Sequence, residues 1–248
     1  MTNDNDIAFI SPTECFDAII NTRQCREVEL SLNHRQEDVH EFILKLLEHF
    51  DDELTFFNEV FNLPDVFNIY LRSTATCQGC SRISEESFYL WLLTLHFPLV
   101  LDNEALQPTE LDIYYLMDTY FNLEMLTEHT CSQCGLLGGT GKRIAMINVP
   151  QVLVLHISRF DSGLHKIHHY VRFPQHLTTD HIPSGNGQSL SYRLRGLIVH
   201  VGSSIDEGHY IAYVFIQGDW FKAEDRIITP VSWHTVSKVK AYILMYEI

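Results

Sequence analysis

Leu194-Arg-Gly-Leu-Ile-Val-His-Val-Gly-Ser-Ser-Ile-Asp-Glu-Gly-His-Tyr-Ile-Ala-Tyr213 contains one apolar run at Leu197–Val199 and the start of a second, which continues to Ile216. Both are built from the β-branched and aromatic residues that suit a pleated surface, and the Gly, Ser and Asp between them suit a loop. Two strands are therefore expected here. Gln217-Gly218-Asp219 then reads as a hairpin turn that brings Trp220 and Phe221 back beside the strand containing Tyr213. His209 would open one strand, and Glu224-Asp225 would lie just past its neighbour. A carboxylate and an imidazole that meet at a sheet edge can work as an acid orienting a general base. The chain holds 14 histidines, any one of which is most often a satisfied surface or core residue, so this spacing alone favours a structural role for His209.

Outward from this stretch, Val152–Leu155 and Tyr242–Tyr246 are further strand-like runs, mostly for antiparallel pairing. The first half reads differently. Val39, Phe42, Ile43, Leu46, Leu47 and Phe50 recur at three- and four-residue spacing, which predicts a helix over 36–50 with Glu37 and Asp38 at its positive end. A second helix is expected over 111–126, carrying Ile113, Leu116, Met117, Tyr120 and Phe121. Helices first and strands second make an α+β chain. With no repeat, low-complexity tract or Pro/Gly-rich linker, the 248 residues read as one domain.

Cys77-Gln-Gly-Cys80 and Cys131-Ser-Gln-Cys134 are two identically spaced pairs. Each can set two thiolates on one turn, and together they make a tetrahedral structural zinc site, a four-cysteine ribbon. Gly79 and Gly135 stand ready for the positive φ of such turns. Cys15 and Cys25 fall outside the pairs.

Charge bounds the partners. There are 32 acidic residues against 17 Lys plus Arg, a net −15; residues 1–128 hold 24 acidic and 6 basic side chains, and 129–248 hold 8 and 11. Nucleic acid demands a basic face and is excluded as an expected ligand, whereas the acidic half suits a partner with a basic face. The N-terminus lacks the pattern of a signal peptide and no apolar run approaches a membrane span. An intracellular protein of cytoplasm or nucleus is expected, neither secreted nor bound to a membrane.

Several motifs now align with one family. Gln36-Glu-Asp-Val-His-Glu-Phe42 is similar to the glutamine-box helix of the ubiquitin-specific proteases, and Val149-Pro-Gln-Val-Leu-Val-Leu-His-Ile-Ser-Arg-Phe160 resembles that family's palm strand. Leu194–Tyr213 resembles its histidine box, and the cysteine pairs fall where its zinc fingers fall. The resemblance runs from about residue 10 to the C-terminus. It implies a papain-like fold with thumb (about 1–70), fingers (about 71–90 and 120–147) and palm (the remainder), gripping ubiquitin or ubiquitinated proteins. It implies thiol-dependent hydrolysis at the ubiquitin C-terminus, with His209 as base and Glu224 at the place of the orienting acid. Glutamate is one methylene longer than the family's Asp or Asn, so Asp225 is the alternative. Gln36, Asp38, Glu41, Gly208 and Tyr210 are implied as substrate-binding residues.

The family's Asn-Thr-Cys run, well upstream of the glutamine box, has no counterpart in these residues. Ile10-Ser11-Pro12 followed by Phe16 resembles the segment just before the glutamine box, so neither Cys15 nor Cys25 is the expected nucleophile. The resemblance thus implies a chain incomplete at its N-terminus and lacking the attacking thiol. The alternative is a ubiquitin-binding pseudo-enzyme.

Overall fold

A computed structural model of the chain describes residues 38–56, 62–98, 111–161, 163, 165–180, 182–183, 189–204 and 207–248. Its frame is an eight-stranded sheet. The strands that position the site are β7 (Val152–Ser158), β10 (Ser191–Val201), β11 (His209–Ile216), β12 (Asp219–Glu224), β13 (Ile227–Val231) and β14 (Ile243–Glu247). They lie in the order β13-β12-β11-β10-β14-β7-β3, with β3 (Leu93–His96) at the far edge and β9 (His176–Thr178) paired to the start of β10. All these pairs are antiparallel except β3 with β7.

The middle of β7, Leu153 to Ile157, is buried throughout, as a near-continuous apolar run requires when both faces of a sheet are covered. On one face Leu153, Leu155, Tyr246 and Leu244 join the main core with Ile69, Leu116 and Phe173. On the other, Val154, Ile243 and Tyr242 meet Val39, Ile43 and Leu44 of helix α1 (Val39–Phe56). Each fully buried side chain of this size contributes roughly 1.5–3 kcal/mol.

The expected first helix is present at Val39–Phe56; Gln36 and Glu37 lie outside the described residues. The expected helix over 111–126 is shorter. Leu111–Asp112 form strand β4, and the helix (α3, after α2 at Leu63–Phe67) covers Ile113–Phe121, capped by the Asp112 carboxylate, which accepts from the Tyr115 N–H at 2.9 Å. Glu124–Leu126 instead form strand β5, drawn out of helix by pairing with β6 (Thr140–Asn148), Glu124 opposite Lys142 and Leu126 opposite Thr140.

β5 and β6 belong to a second, four-stranded sheet in the order β2-β1-β6-β5, with β1 at Ile69–Cys77 and β2 at Ile83–Leu90. Its near end enters the main core through Ile69, Leu71 and Met146. Its far end carries the four paired cysteines.

The hairpin at Gln217-Gly218 forms as expected. Both residues have positive φ, 52° and 102°, the twist a two-residue turn needs to match its strands. Lys222 stands opposite Tyr213 and Phe221 opposite Val214.

Candidate active site and metal centre

His209 is the first residue of β11 and Glu224 the last of β12, so the hairpin returns the carboxylate to the strand end from which the imidazole projects. His209 Nε2 lies 3.6 Å from Glu224 Oε1 and 3.9 Å from Asp225 Oδ1. Both acids therefore face the same ring nitrogen. Asp225 sits in a left-handed turn at φ 51° and its side chain is 77% exposed, against 39% for Glu224. Glu224 is the closer and better shielded partner. Its second oxygen accepts from Lys222 Nζ at 2.6 Å, and this bond holds the Glu224 carboxyl below its usual pKa range, with the charges of Lys222 and His209 adding to it. The carboxylate is thus ionised, tethered on one side and turned to the imidazole on the other. An acid on Nε2 leaves Nδ1 to take a proton from a thiol.

A second cluster is built around Tyr210, the residue after His209, and Tyr242. Asp38, just before α1, accepts from Tyr242 OH at 2.7 Å and from the His40 N–H at 2.9 Å. The Val39 N–H donates to Tyr210 OH at 3.4 Å. These bonds dock the start of α1 on the sheet beside Gly208. Burial raises the Tyr210 pKa to about 12 and raises that of Tyr242 further, so both stay neutral, Tyr242 as a donor and Tyr210 as an acceptor. Of the expected substrate-binding residues, the structure gathers Asp38, Gly208 and Tyr210 here, while Glu41 is exposed on the next turn of α1 and Gln36 lies outside the described residues. Cys15 and Cys25 are also outside them. Tyr242, Lys166 and His200 join the cluster without having been singled out: Tyr242 reads simply as a strand residue, and the other two have no local signature.

At the far end of the second sheet, the Sγ atoms of Cys77, Cys80, Cys131 and Cys134 all lie within 4.8 Å of one another. Cys77 to Cys134 is 3.6 Å and Cys80 to Cys131 is 3.7 Å. Four sulfurs about 2.3 Å from one tetrahedral zinc stand about 3.8 Å apart, so the donor set fits the ion. The backbone N–H groups of Cys134 and Gln133 lower the Cys131 pKa to about 6, while, against the Leu136 N–H, the neighbouring sulfurs and burial push that of Cys134 up to about 12, so the first thiolate forms at Cys131 and the crowded sulfurs resist sharing further charge. Each pair sits on a tight turn, closed by Ser81 N–H to Cys77 O and by Gly135 N–H to Cys131 O, both 2.9 Å.

One expectation about these turns changes. Gly135 has φ 74°, but in the first turn the left-handed residue is Ser81, at φ 57°, and not Gly79. Gly79 sits in close contact instead: a Cβ there would stand 3.0 Å from Leu136 Cδ2 and 3.4 Å from Cys134 Sγ. Leu136 also covers Gly139, where a Cβ would fall 2.2 Å from the same methyl. Leu136, 39% exposed, thus lies as a peg against two glycine backbones.

The chain is similar to known proteins in sequence and in fold. The family model described as ubiquitin carboxyl-terminal hydrolase matches residues 6–246. Ubiquitin carboxyl-terminal hydrolase 8 of Saccharomyces cerevisiae is 29% identical over 200 residues, which are 74% of this chain and 40% of that protein. Ubiquitin carboxyl-terminal hydrolase 3 of Homo sapiens is 27% identical over 253 residues, 86% of this chain and 49% of that one. Among solved structures, the SAGA DUB module of Ubp8, Sgf11, Sus1 and Sgf73 bound to monoubiquitin superposes with a TM-score of 0.73 at 26% identity, over 91% of this chain and 52% of that chain. The same module bound to ubiquitin aldehyde gives 0.73 at 25%. The chain spans about half the length, or less, of these relatives.

Proposed function

We propose, for a chain that belongs to the ubiquitin carboxyl-terminal hydrolase family, that these residues form the ubiquitin-gripping, base-bearing part of a thiol-dependent deubiquitinase. The observation that carries this is the convergence of His209 with Glu224, at 3.6 Å, at the edge of the long sheet. In this reading His209 is the general base. Glu224 fixes its ring through Nε2, and Asp225, 3.9 Å away, supplies the second acid. Nδ1 takes the proton from an attacking cysteine and returns it to the leaving amine as the bond to the ubiquitin C-terminus breaks. Gly208, Tyr210, Asp38 and Glu41 line the approach of the ubiquitin tail.

The second sheet corresponds to the fingers, the long sheet to the palm and α1 to part of the thumb. Zinc held by Cys77, Cys80, Cys131 and Cys134 has a structural role, because four protein thiolates leave no open position for substrate. All four cysteines are free of disulfides and no helix among the described residues is long and apolar enough to cross a membrane. The Cys-x-x-Cys spacing, which favours metal over disulfide, supports residence in a reducing compartment, cytoplasm or nucleus. Ubiquitin and ubiquitinated proteins are the proposed partners.

The departure of Glu224 from the family's Asp or Asn at the place of the orienting acid favours, as a second reading, a ubiquitin-binding pseudo-enzyme. One titration examines what the readings share: the chain, with its histidines labelled with ¹⁵N, is mixed with ubiquitin. The His209 ring signals should move with intact ubiquitin and not with ubiquitin truncated at its C-terminal tail. Unmoved His209 signals at saturation would overturn the assignment of this edge as the place where the tail arrives.

A further inference from the structure

Lys166 reaches across to β10 and uses its whole ammonium there. Its Nζ lies 3.0 Å from His200 Nδ1, 2.8 Å from the His200 carbonyl and 2.7 Å from the Gly202 carbonyl. An ammonium has three N–H donors and no acceptor, so each donor finds one partner and His200 Nδ1 is compelled to accept. The His200 imidazole therefore carries its proton on Nε2. Burial and the neighbouring Lys166 charge hold its pKa below the usual value, against the charge of Asp38, so the ring is neutral.

Nε2 is buried and has no hydrogen-bond partner. A buried polar atom left in that state has a cost, and its presence asks for a reason. The reason lies in what the ring touches. A Cβ built on Gly208 would fall 2.4 Å from His200 Nε2 and 2.4 Å from the Val201 carbonyl, so the Gly208 backbone lies flat against the ring edge. On the other side of the same connection, a Cβ on Gly202 would fall 2.5 Å from the Glu207 carbonyl and 2.8 Å from Gly208 Cα. The two ends of the β10–β11 connection are thus pinched together. His200 is wedged under one end, and Lys166 holds the wedge and the carbonyl of the other. The next residue after Gly208 is His209.

We propose that Lys166 and His200 are positioning residues: the ammonium locks the His200 ring as a wedge beneath Gly208, and the wedge fixes the backbone from which His209 reaches Glu224. This rests on the reading of His209 as the base. It also gives a reason for a buried histidine that keeps an unsatisfied N–H: donating that proton elsewhere would require the ring to leave Gly208.

Nitrogen NMR of the ¹⁵N-histidine-labelled chain tests it without any turnover. In the parent, His200 should show one tautomer, protonated on Nε2 with Nδ1 as a hydrogen-bond acceptor. In Lys166→Met it should become a mixture, and the displacement of the His209 ring signals caused by Glu224→Gln should shrink at least about twofold relative to the parent, as coupling between contacting residues is read in a double-mutant cycle. Gly208→Ala keeps the ammonium but drives a methyl into the wedge, and should weaken the same coupling. An unchanged His200 tautomer in Lys166→Met overturns the proposal, as does an equal response of His209 to Glu224→Gln with and without Lys166. Were Glu224→Gln to leave His209 unmoved in the parent itself, the pairing of base and acid would fall. The clamp would then stand or fall on the His200 tautomer and on the amide signals of Gly202 and Gly208.

Discussion

Withdrawing zinc with a chelator should melt the far half of the four-stranded sheet and leave the long sheet standing. On β1 no residue between Leu71 and Cys77 is buried, on β2 none is buried at all, and on β6 none lies buried between Thr140 and Met146. This half has no apolar core. Its solvent-exposed backbone hydrogen bonds contribute about 0.5–1.5 kcal/mol each, against about 1–2 kcal/mol per residue of lost backbone freedom. The balance must come from the metal, whose binding contributes about 10–16 kcal/mol in small zinc-dependent peptides. If only about 3 kcal/mol of that remains after the cost of ordering the sheet, amide exchange accelerates about 100-fold, at about 1.4 kcal/mol per factor of ten. Hydrogen exchange read by mass spectrometry should therefore show protection at 73–77 and 141–143 falling by about 100-fold or more on chelation. Leu153–Ile157 and Ile243–Tyr246, fully embedded in the long sheet, should change by less than about threefold, since local opening need not reach the core. Cys77→Ser should reproduce the pattern. A uniform loss over both sheets, or no loss at either, would refute the claim that the metal substitutes for a core at this end.

Three other outcomes follow from particular residues. His156 is 6% exposed and its pKa is lowered to about 3 by burial, with His40 and His96 adding to the effect. The unfolded chain takes up a proton near pH 6.5 that the folded chain refuses until about pH 3, so stability falls as pH drops through that window. Between pH 7.5 and pH 5 urea titration should show the parent losing about 2 kcal/mol more than His156→Gln. Gly139→Ala places a methyl 2.2 Å from Leu136 Cδ2 and should unseat that peg, speeding chelator-driven zinc release severalfold while one zinc per chain is still bound; metal-release kinetics with a colorimetric chelator decide it. A ubiquitin C-terminal fluorogenic amide should not be turned over by the 248-residue chain, because a base without its thiol retains only positioning effects, and turnover abolished by Cys15→Ala would contradict this.

What the sequence made legible was whatever leaves a local mark. The helical period of Val39, Ile43 and Leu47, the strand runs at 152–155 and 210–216, and the twin Cys-x-x-Cys pairs each carry their own signal and lie where expected. The end of the second helix did not, because Leu123-Glu-Met-Leu126 fits helix or strand equally and only pairing with β6 decides between them. The first knuckle misled for a related reason: Gly79 reads as a positive-φ residue, yet it packs against Leu136 and Cys134, and Ser81 takes the left-handed turn. Among 14 histidines, His209 became distinguishable through the motif around it. His200 and Lys166, 34 residues apart, share nothing in sequence that announces their contact.

Calorimetric titration of ubiquitin into the zinc-loaded, monodisperse chain at low salt tests most directly whether this fold grips ubiquitin. A saturable one-to-one isotherm is expected. Its affinity should weaken as salt is raised, since 24 acidic side chains against 6 basic ones in residues 1–128 attract a basic face through interactions that salt screens. A well-folded preparation that gives no binding heat across several temperatures at low salt would contradict it.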